Sequence, residues 1–249
     1  MKIKDRLRCL KHPHYSLLRL IIKFRCGSKI LSGPFCGMSF NIPNFNTAML
    51  LGTWEKELAN TINKFKEITP SSIICIGAAE GYYAVGLAKD SPNLTTYAFE
   101  QNIEYRILLK NLALENNCTN IQILGKCDNK SLSKTLDKSG EKPLIICDIE
   151  GGEIDLLDIH AVPLLENSFI LVEVHEMYVQ DCENVLLKRF SSTHESKIIG
   201  GSVRDIKDIP HKIKWLRLIS SKGRLLNLMN EGRPYPMNWI LFYPNKHTL

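Results

Sequence analysis

Among the eight cysteines, at 9, 26, 36, 75, 118, 127, 147 and 182, there is no Cys-x-x-Cys pair. That argues against a zinc site and leaves reduced, small, apolar side chains as their expected role. No apolar run reaches bilayer length. The best candidate, YSLLRLIIKF, is interrupted by Arg19 and Lys23 and followed by no small-residue cleavage site, so neither a membrane span nor a signal peptide is expected, and the expected location is cytoplasmic. Internal repeats and low-complexity tracts are missing too. With 23% charged and 44% hydrophobic residues, a chain of 249 residues is neither disordered nor fibrous, and it can bury one sizeable α/β core with a small appendage. Positive charge is scarce where a nucleic-acid channel would need it. The formal net charge is +6, but nine cations from Lys2 to Lys29 face Asp5 alone, a balance of +8 that leaves the remainder at −2. The basicity belongs to a terminal arm, so nucleic acid is not the expected partner.

What the chain does have is SSIICIGAAEGYY at 71–83. Ile73 to Ile76 form a short apolar run of the kind buried on both faces in a parallel sheet. Gly77 and Gly81 then frame a loop, Gly77-Ala78-Ala79-Glu80-Gly81-Tyr82, which leads into a helical pattern and can let a ligand lie against its backbone. The spacing is Gly-x-x-x-Gly; a dinucleotide fingerprint would carry a glycine at 79. Glu100 closes the next apolar run, TTYAFE, about 20 residues on, where an acid can accept hydrogen bonds from both hydroxyls of a ribose. Loop and acid together suggest an adenosine ligand without a pyrophosphate.

From residue 69 the pattern alternates strands (72–77, 95–100, 121–125, 143–149, 168–175) with helices (82–90, 102–115, 131–138, 153–165, 181–190). It predicts a Rossmann-like, doubly wound, mostly parallel sheet with helices on both faces. Asn102 reads as a helix cap, with Ile103, Ile107, Leu108 and Leu112 as the buried stripe behind it. Ligands in such sheets gather at the carboxyl ends of the strands. Those ends carry Glu100 and Gln101, Cys127 and Asp128, then CDIEGGE with Asp148, Glu150 and Glu153, then Glu173 and His175. The CDIEGGE acids must be solvated, paired or facing a charged ligand such as a sulfonium, and they also admit capping of the next helix or a divalent metal. A single acid cluster is thin support for the last, and no metal is expected. Glu173 and His175 share a face on an extended backbone, and a histidine beside a carboxylate suits a general base, an acceptor-positioning group or a structural role.

The series CIGAAEGYYAVGLA, YAFE followed by a helix ending KNLALENN, CDIEGGEIDLL and ILVEVH, over residues 70–176, resembles the class I S-adenosylmethionine-dependent methyltransferases, FkbM-like group. The resemblance implies seven strands, the last of them, MNWILFYP, antiparallel. It also implies S-adenosylmethionine as cofactor and methylation of an oxygen on a small molecule such as a sugar or secondary metabolite. Cofactor contacts then fall to residues 77–82, Glu100, Gln101, Asp128 at the adenine edge and Asp148, and catalysis to His175 as base with Glu173 and Glu150. Where the family usually carries an acid two positions before the first glycine, this chain has Cys75. That departure keeps open a non-catalytic adenosyl-binding or partner-binding module; an RNA methyltransferase is a further alternative, favoured only by the basic arm.

Domains are expected at 1–68, a basic helical arm and cap, and 69–249, the methyltransferase domain. In the arm, Tyr15 to Arg25 form an amphipathic helix with Leu17, Leu18, Ile21, Ile22 and Phe24 on one broad face. It either docks on the core, lies on a membrane surface or meets nucleic acid or another acidic partner. A second helical run, WEKELANTINKF, with Thr53 as its cap, reads as a lid over the cleft or as plain packing. Past residue 176, His194 and Arg233 are candidate acceptor contacts. The oligomeric state is not legible.

Overall fold

The computed structural model describes residues 13–43 and 46–245, which divide into two compact units: 1–63 with 202–236, and 64–201 with 237–249. The arm therefore shares its unit with a segment that precedes the last strand, where the sequence pattern assigns that segment to the methyltransferase domain.

In the first unit, helix α1 (Pro13–Cys26) buries Tyr15, Leu18 and Ile22, and the Tyr15 hydroxyl lies 2.7 Å from Thr47 Oγ1 at the start of α2 (Thr47–Leu51). The broad face predicted for this helix is divided: Leu17 and Phe24 are exposed. Residues 1–12 of the basic arm lie outside the described residues. Thr53 caps nothing. It is buried and its hydroxyl donates to the Ala48 carbonyl, while a 3-10 turn, Lys56–Leu58, precedes α3 (Ala59–Ile68). Leu58, Ile62 and Phe65 are buried as the spacing predicts, and α3 runs across the division between the units. Arg204 ties this unit together: its guanidinium donates to Thr53 O at 2.7 Å and to Ser202 O at 2.9 Å and pairs with Glu57 and Glu231.

The second unit holds a seven-stranded sheet: β1 (Ile73–Ile76), β2 (Thr96–Phe99), β3 (Ile121–Leu124), β4 (Leu144–Cys147), β5 (Phe169–Glu173), β6 (His194–Ile199) and β7 (Trp239–Pro244). Their order is β3-β2-β1-β4-β5-β7-β6, parallel throughout except that β7 runs against both neighbours. Every residue of β1, β2, β4 and β5 is buried. Successive strand side chains point to opposite faces, so both faces of these four strands are covered. The order reverses between β1 and β4, and the crevice beyond their carboxyl ends is where such a sheet accepts ligands.

Helices α4 (Tyr82–Asp90), α5 (Ile103–Glu115), α6 (Asn129–Leu136), α7 (Glu153–Leu156) and α8 (Cys182–Phe190) connect the strands. Asn102 caps α5 as expected, its Oδ1 accepting the Glu104 N–H at 2.8 Å. The buried stripe of α5 is Leu109, Leu112 and Ala113, with Ile103 and Ile107 exposed, so the predicted stripe is rotated about the axis. The helix predicted over 153–165 stops after one turn. Pro163, which cannot continue a ladder of i to i−4 bonds, instead opens a 3-10 turn, Pro163–Asn167. No helix among the described residues is long and apolar enough to cross a membrane.

Candidate active site

Glu100 joins the glycine loop to the end of β2. Its Oε2 accepts the Ala79 N–H at 2.8 Å and its Oε1 the Asn102 N–H at 2.7 Å, while Arg106 donates to the carbonyls of Glu100 and Gln101 at 2.7 and 2.9 Å. The carboxylate is buried and faces the loop, whose residues 77–80 are only partly covered. Two oxygens that each accept one backbone N–H keep lone pairs for further donors. Ala79 holds φ at +45°, a left-handed conformation that its contact with Glu100 helps to maintain.

The glycines serve the protein's own packing before any ligand. A Cβ on Gly77, where φ is +80°, would stand 1.7 Å from the Asp148 carbonyl oxygen, so the residue's bareness lets the end of β1 lie against the end of β4. Gly81, with φ at +101°, precedes α4, and Tyr82 beside it is buried rather than facing a cleft. Asp128 also serves its own helix. It caps α6 through a reciprocal box, Oδ1 accepting the Ser131 N–H at 2.7 Å and its own N–H donating to Ser131 Oγ at 2.9 Å.

On the other side of the crevice four side chains converge. His175 Nδ1 lies 2.7 Å from Glu153 Oε1, and Nε2 lies 3.2 Å from Glu173 Oε2 and 3.5 Å from Asp148 Oδ1. Glu153 is fully buried, Glu173 and His175 nearly so, and Asp148 is the member open to solvent. Glu153 is the residue that the strand-end pattern names without assigning a role. Its carboxylate sits inside its own turn, accepting N–H groups from Ile149 at 3.3 Å and Gly151 at 3.0 and 3.2 Å. Gly151, at φ +111°, and Glu150, at φ +55°, bend the backbone so that this turn closes. The glycine pair ahead of an acid was the readable signal for such a turn. Glu150 itself is exposed, while Glu173 and Asp148 are brought to His175 as their strand-end positions suggest.

Burial works to lower the His175 pKa, but hydrogen bonds from the ring to Glu153 and Glu173 and the charges of Glu173 and Asp148 outweigh it, lifting the value to about 10. The same bonding, with the Gly151 N–H, holds Glu153 below its ordinary value against the opposing effect of burial. The surrounding carboxylates thus favour the protonated ring over the free base expected from the sequence. Trp239 opens β7 directly opposite Glu173, so the two side chains share a face of the sheet, and Tyr83 of α4 packs against its ring at 6.3 Å. Its indole N–H is buried with no acceptor among the described residues.

The two expected acceptor contacts have partners of their own. His194 begins β6 at the opposite, amino edge of the parallel strands, pairing in register with Pro244, and its Nε2–H donates to the Ser168 carbonyl at 3.0 Å. It is a buried core residue. Arg233 belongs to the first unit, where it pairs with Glu55 and lies over the Trp54 ring at 5.1 Å.

The strand order, with a single antiparallel strand inserted next to the edge, is that of the Rossmann-like methyltransferase fold. No protein-family model and no curated protein matches this sequence. Solved structures do resemble it. The O-methyltransferase TomG from Streptomyces achromogenes, involved in tomaymycin synthesis and solved in complex with SAM, is 13% identical at a TM-score of 0.46, covering 72% of this chain and 76% of its own. The human methyltransferase 10 domain containing protein is 14% identical at 0.47, covering 83% and 89%. TYW2 from M. jannaschii, solved in complex with AdoMet, is 12% identical at 0.44, with 76% of each chain covered.

Proposed function

We propose that this protein is an FkbM-like methyltransferase that moves the methyl group of S-adenosylmethionine to an oxygen of a small-molecule acceptor. The observation that carries this reading is the 2.8 Å bond from the Ala79 N–H to Glu100, which makes one surface of the glycine loop and the strand-end acid at the switch point of the sheet. The residues suit the cofactor on their own chemistry: a carboxylate with lone pairs to spare for ribose hydroxyls, a partly open backbone loop, and three acids nearby that favour a cation. When bound, S-adenosylmethionine supplies an electrophilic methyl whose bond to sulfur breaks, leaving the electron pair on sulfur, as the acceptor oxygen forms its bond to carbon. Glu100 would hold the ribose, residues 77–81 the methionine portion and Asp148 its cationic end. His175, clamped by Glu153, would position Asp148 and Glu173 at the acceptor.

Calorimetry with S-adenosylmethionine tests the assignment. Glu100→Gln keeps the shape but removes the charge, and should weaken binding roughly 10- to 150-fold, the worth of about 1.5–3 kcal/mol in hydrogen bonds to a charged group. Unchanged affinity in that variant, or no heat from the wild type, sinks the reading. A second reading, a binding module without transfer, is favoured by Cys75, whose buried thiol is pushed up to about 12 by desolvation and offers no charge where the family has an acid. Binding of S-adenosylmethionine without release of S-adenosylhomocysteine across a panel of hydroxylated small molecules would select it.

A further inference from the structure

Asp148, Glu173 and His175 converge beyond the ends of β4 and β5, and we infer that they bind a divalent first-row transition-metal ion, with Glu153 orienting the imidazole. The role of this ion rests on the methyl-transfer reading; its binding does not.

The donor geometry comes first. One ligand atom from each of the three residues lies within 4.8 Å of the others, and Nε2 is 3.2 and 3.5 Å from the two carboxylate oxygens. An ion with bonds of about 2.1 Å places neighbouring donors about 3.0 Å apart in octahedral and about 3.4 Å in tetrahedral coordination. The two Nε2 separations already match those edges. The imidazole is also preset. Its Nδ1 is bonded to a fully buried carboxylate at 2.7 Å, the arrangement by which metal-ligating histidines fix tautomer and ring plane, and this turns Nε2 toward Glu173 and Asp148.

Two further features separate this cluster from surface acids. Glu173 and His175 are 2% and 3% exposed, whereas the Asp148 side chain, at 36%, leaves one open side for entry. The two carboxylates of the donor set carry a formal charge that a divalent ion matches. On the face that carries Glu173, the buried Trp239 N–H has no acceptor among the described residues. A nitrogen donor beside two oxygens disfavours Mg2+ and Ca2+, which prefer all-oxygen sets, and suits Mn2+, Fe2+ or Zn2+.

Ligation releases the Nε2 proton to solvent, leaves the Nδ1–H on Glu153, and puts activation of the acceptor on the ion. An acceptor hydroxyl on an open coordination position loses its proton to solvent more readily, and its oxygen then forms the bond to the methyl carbon while the carbon–sulfur bond breaks.

The test uses the full chain, cleared with chelator and titrated with Mn2+ in the absence of S-adenosylmethionine. Free Mn2+ is followed by electron paramagnetic resonance, and pulsed spectra report a directly bound nitrogen. We expect one Mn2+ per chain with a nitrogen coupling, binding weakened more than 10-fold in Glu173→Gln and His175→Gln, and weakened about 10- to 100-fold in Glu153→Gln, which removes no ligand. No binding at millimolar Mn2+, a bound ion without nitrogen coupling, or displacement by equimolar Mg2+ overturns the site. The wild-type spectra decide even where a variant fails to fold. Because S-adenosylmethionine binding is measured separately with chelator present, loss of one reading is distinguishable from loss of the other.

Discussion

His175 and His194 are buried almost equally, 3% and 4% exposed, yet their pKa values move in opposite directions. For His194 burial dominates and lowers the pKa: the ring is neutral, Nε2–H donating to the Ser168 carbonyl and Nδ1 accepting from Thr193 Oγ1, edge-on to Phe190 and Phe242. For His175 the same desolvation is overruled by three carboxylates. Burial alone therefore says little about a histidine. What matters is which end of the sheet it occupies: the carboxyl edge gathers acids, the amino edge gathers aromatic rings.

The comparison can be broken most severely at Glu153. Glu153→Ala would leave the His175 ring and the Ile149 and Gly151 N–H groups without their buried acceptor, and should cost about 3–5 kcal/mol in urea unfolding, as for one lost partner of a buried pair. A cycle with His175→Gln should recover about 1–3 kcal/mol as coupling, and simple additivity would show that the clamp is not one unit. Next comes Gly77→Ala. With a positive φ and a Cβ placed against the Asp148 carbonyl, it should lose about 1–3 kcal/mol and disturb the carboxyl edge, whereas His194 and the amino edge keep their chemical shifts. A smaller loss, about 1 kcal/mol, is expected for Asp128→Ala, an N-cap deletion, with affinity for S-adenosylmethionine unchanged; weakened affinity would return Asp128 to the cofactor site.

The subtlest effect is on pH dependence. The folded pKa of His194 lies below the ordinary value, so the unfolded chain takes up its proton first and stability falls as pH drops below about 6.5. Glu166 is the charged group whose field opposes that shift, with the Ser168 and Leu165 backbone. Denaturant midpoints compared at about pH 5 and pH 7 should fall less with acid in His194→Gln than in the wild type. An identical fall in both would mean that this ring does not titrate differently in the folded state.

Much of the second unit was readable from residue order. Runs such as Ile73–Ile76 and Leu144–Cys147 are apolar at every position, which only a strand covered on both faces requires. β6 escaped because it is the edge strand, with four of its six residues, Glu195 to Ile198, exposed and therefore no apolar run or alternation to detect. The stripe on α5 was misplaced because Ile103 and Ile107 are as apolar as Leu109 and Leu112, and hydrophobicity alone does not say which of two apolar faces meets the sheet. At the site, Glu173 and His175 were legible as near neighbours on a strand end. The third member of their cluster, Glu153, bonds His175 across 22 positions, beyond the reach of local spacing.

By itself, residue order determined the strands, the glycine bend and the acids at the strand ends, because burial on two faces, backbone reach and charge leave local patterns. Only the tertiary structure decided which atoms those groups spend on one another: Asp128 on its own helix, Gly77 on the β4 backbone, and one histidine pushed toward its charged form and another toward its neutral form. Protonation and coordination depend on distances between residues far apart in the chain, and those distances exist only once the sheet is assembled.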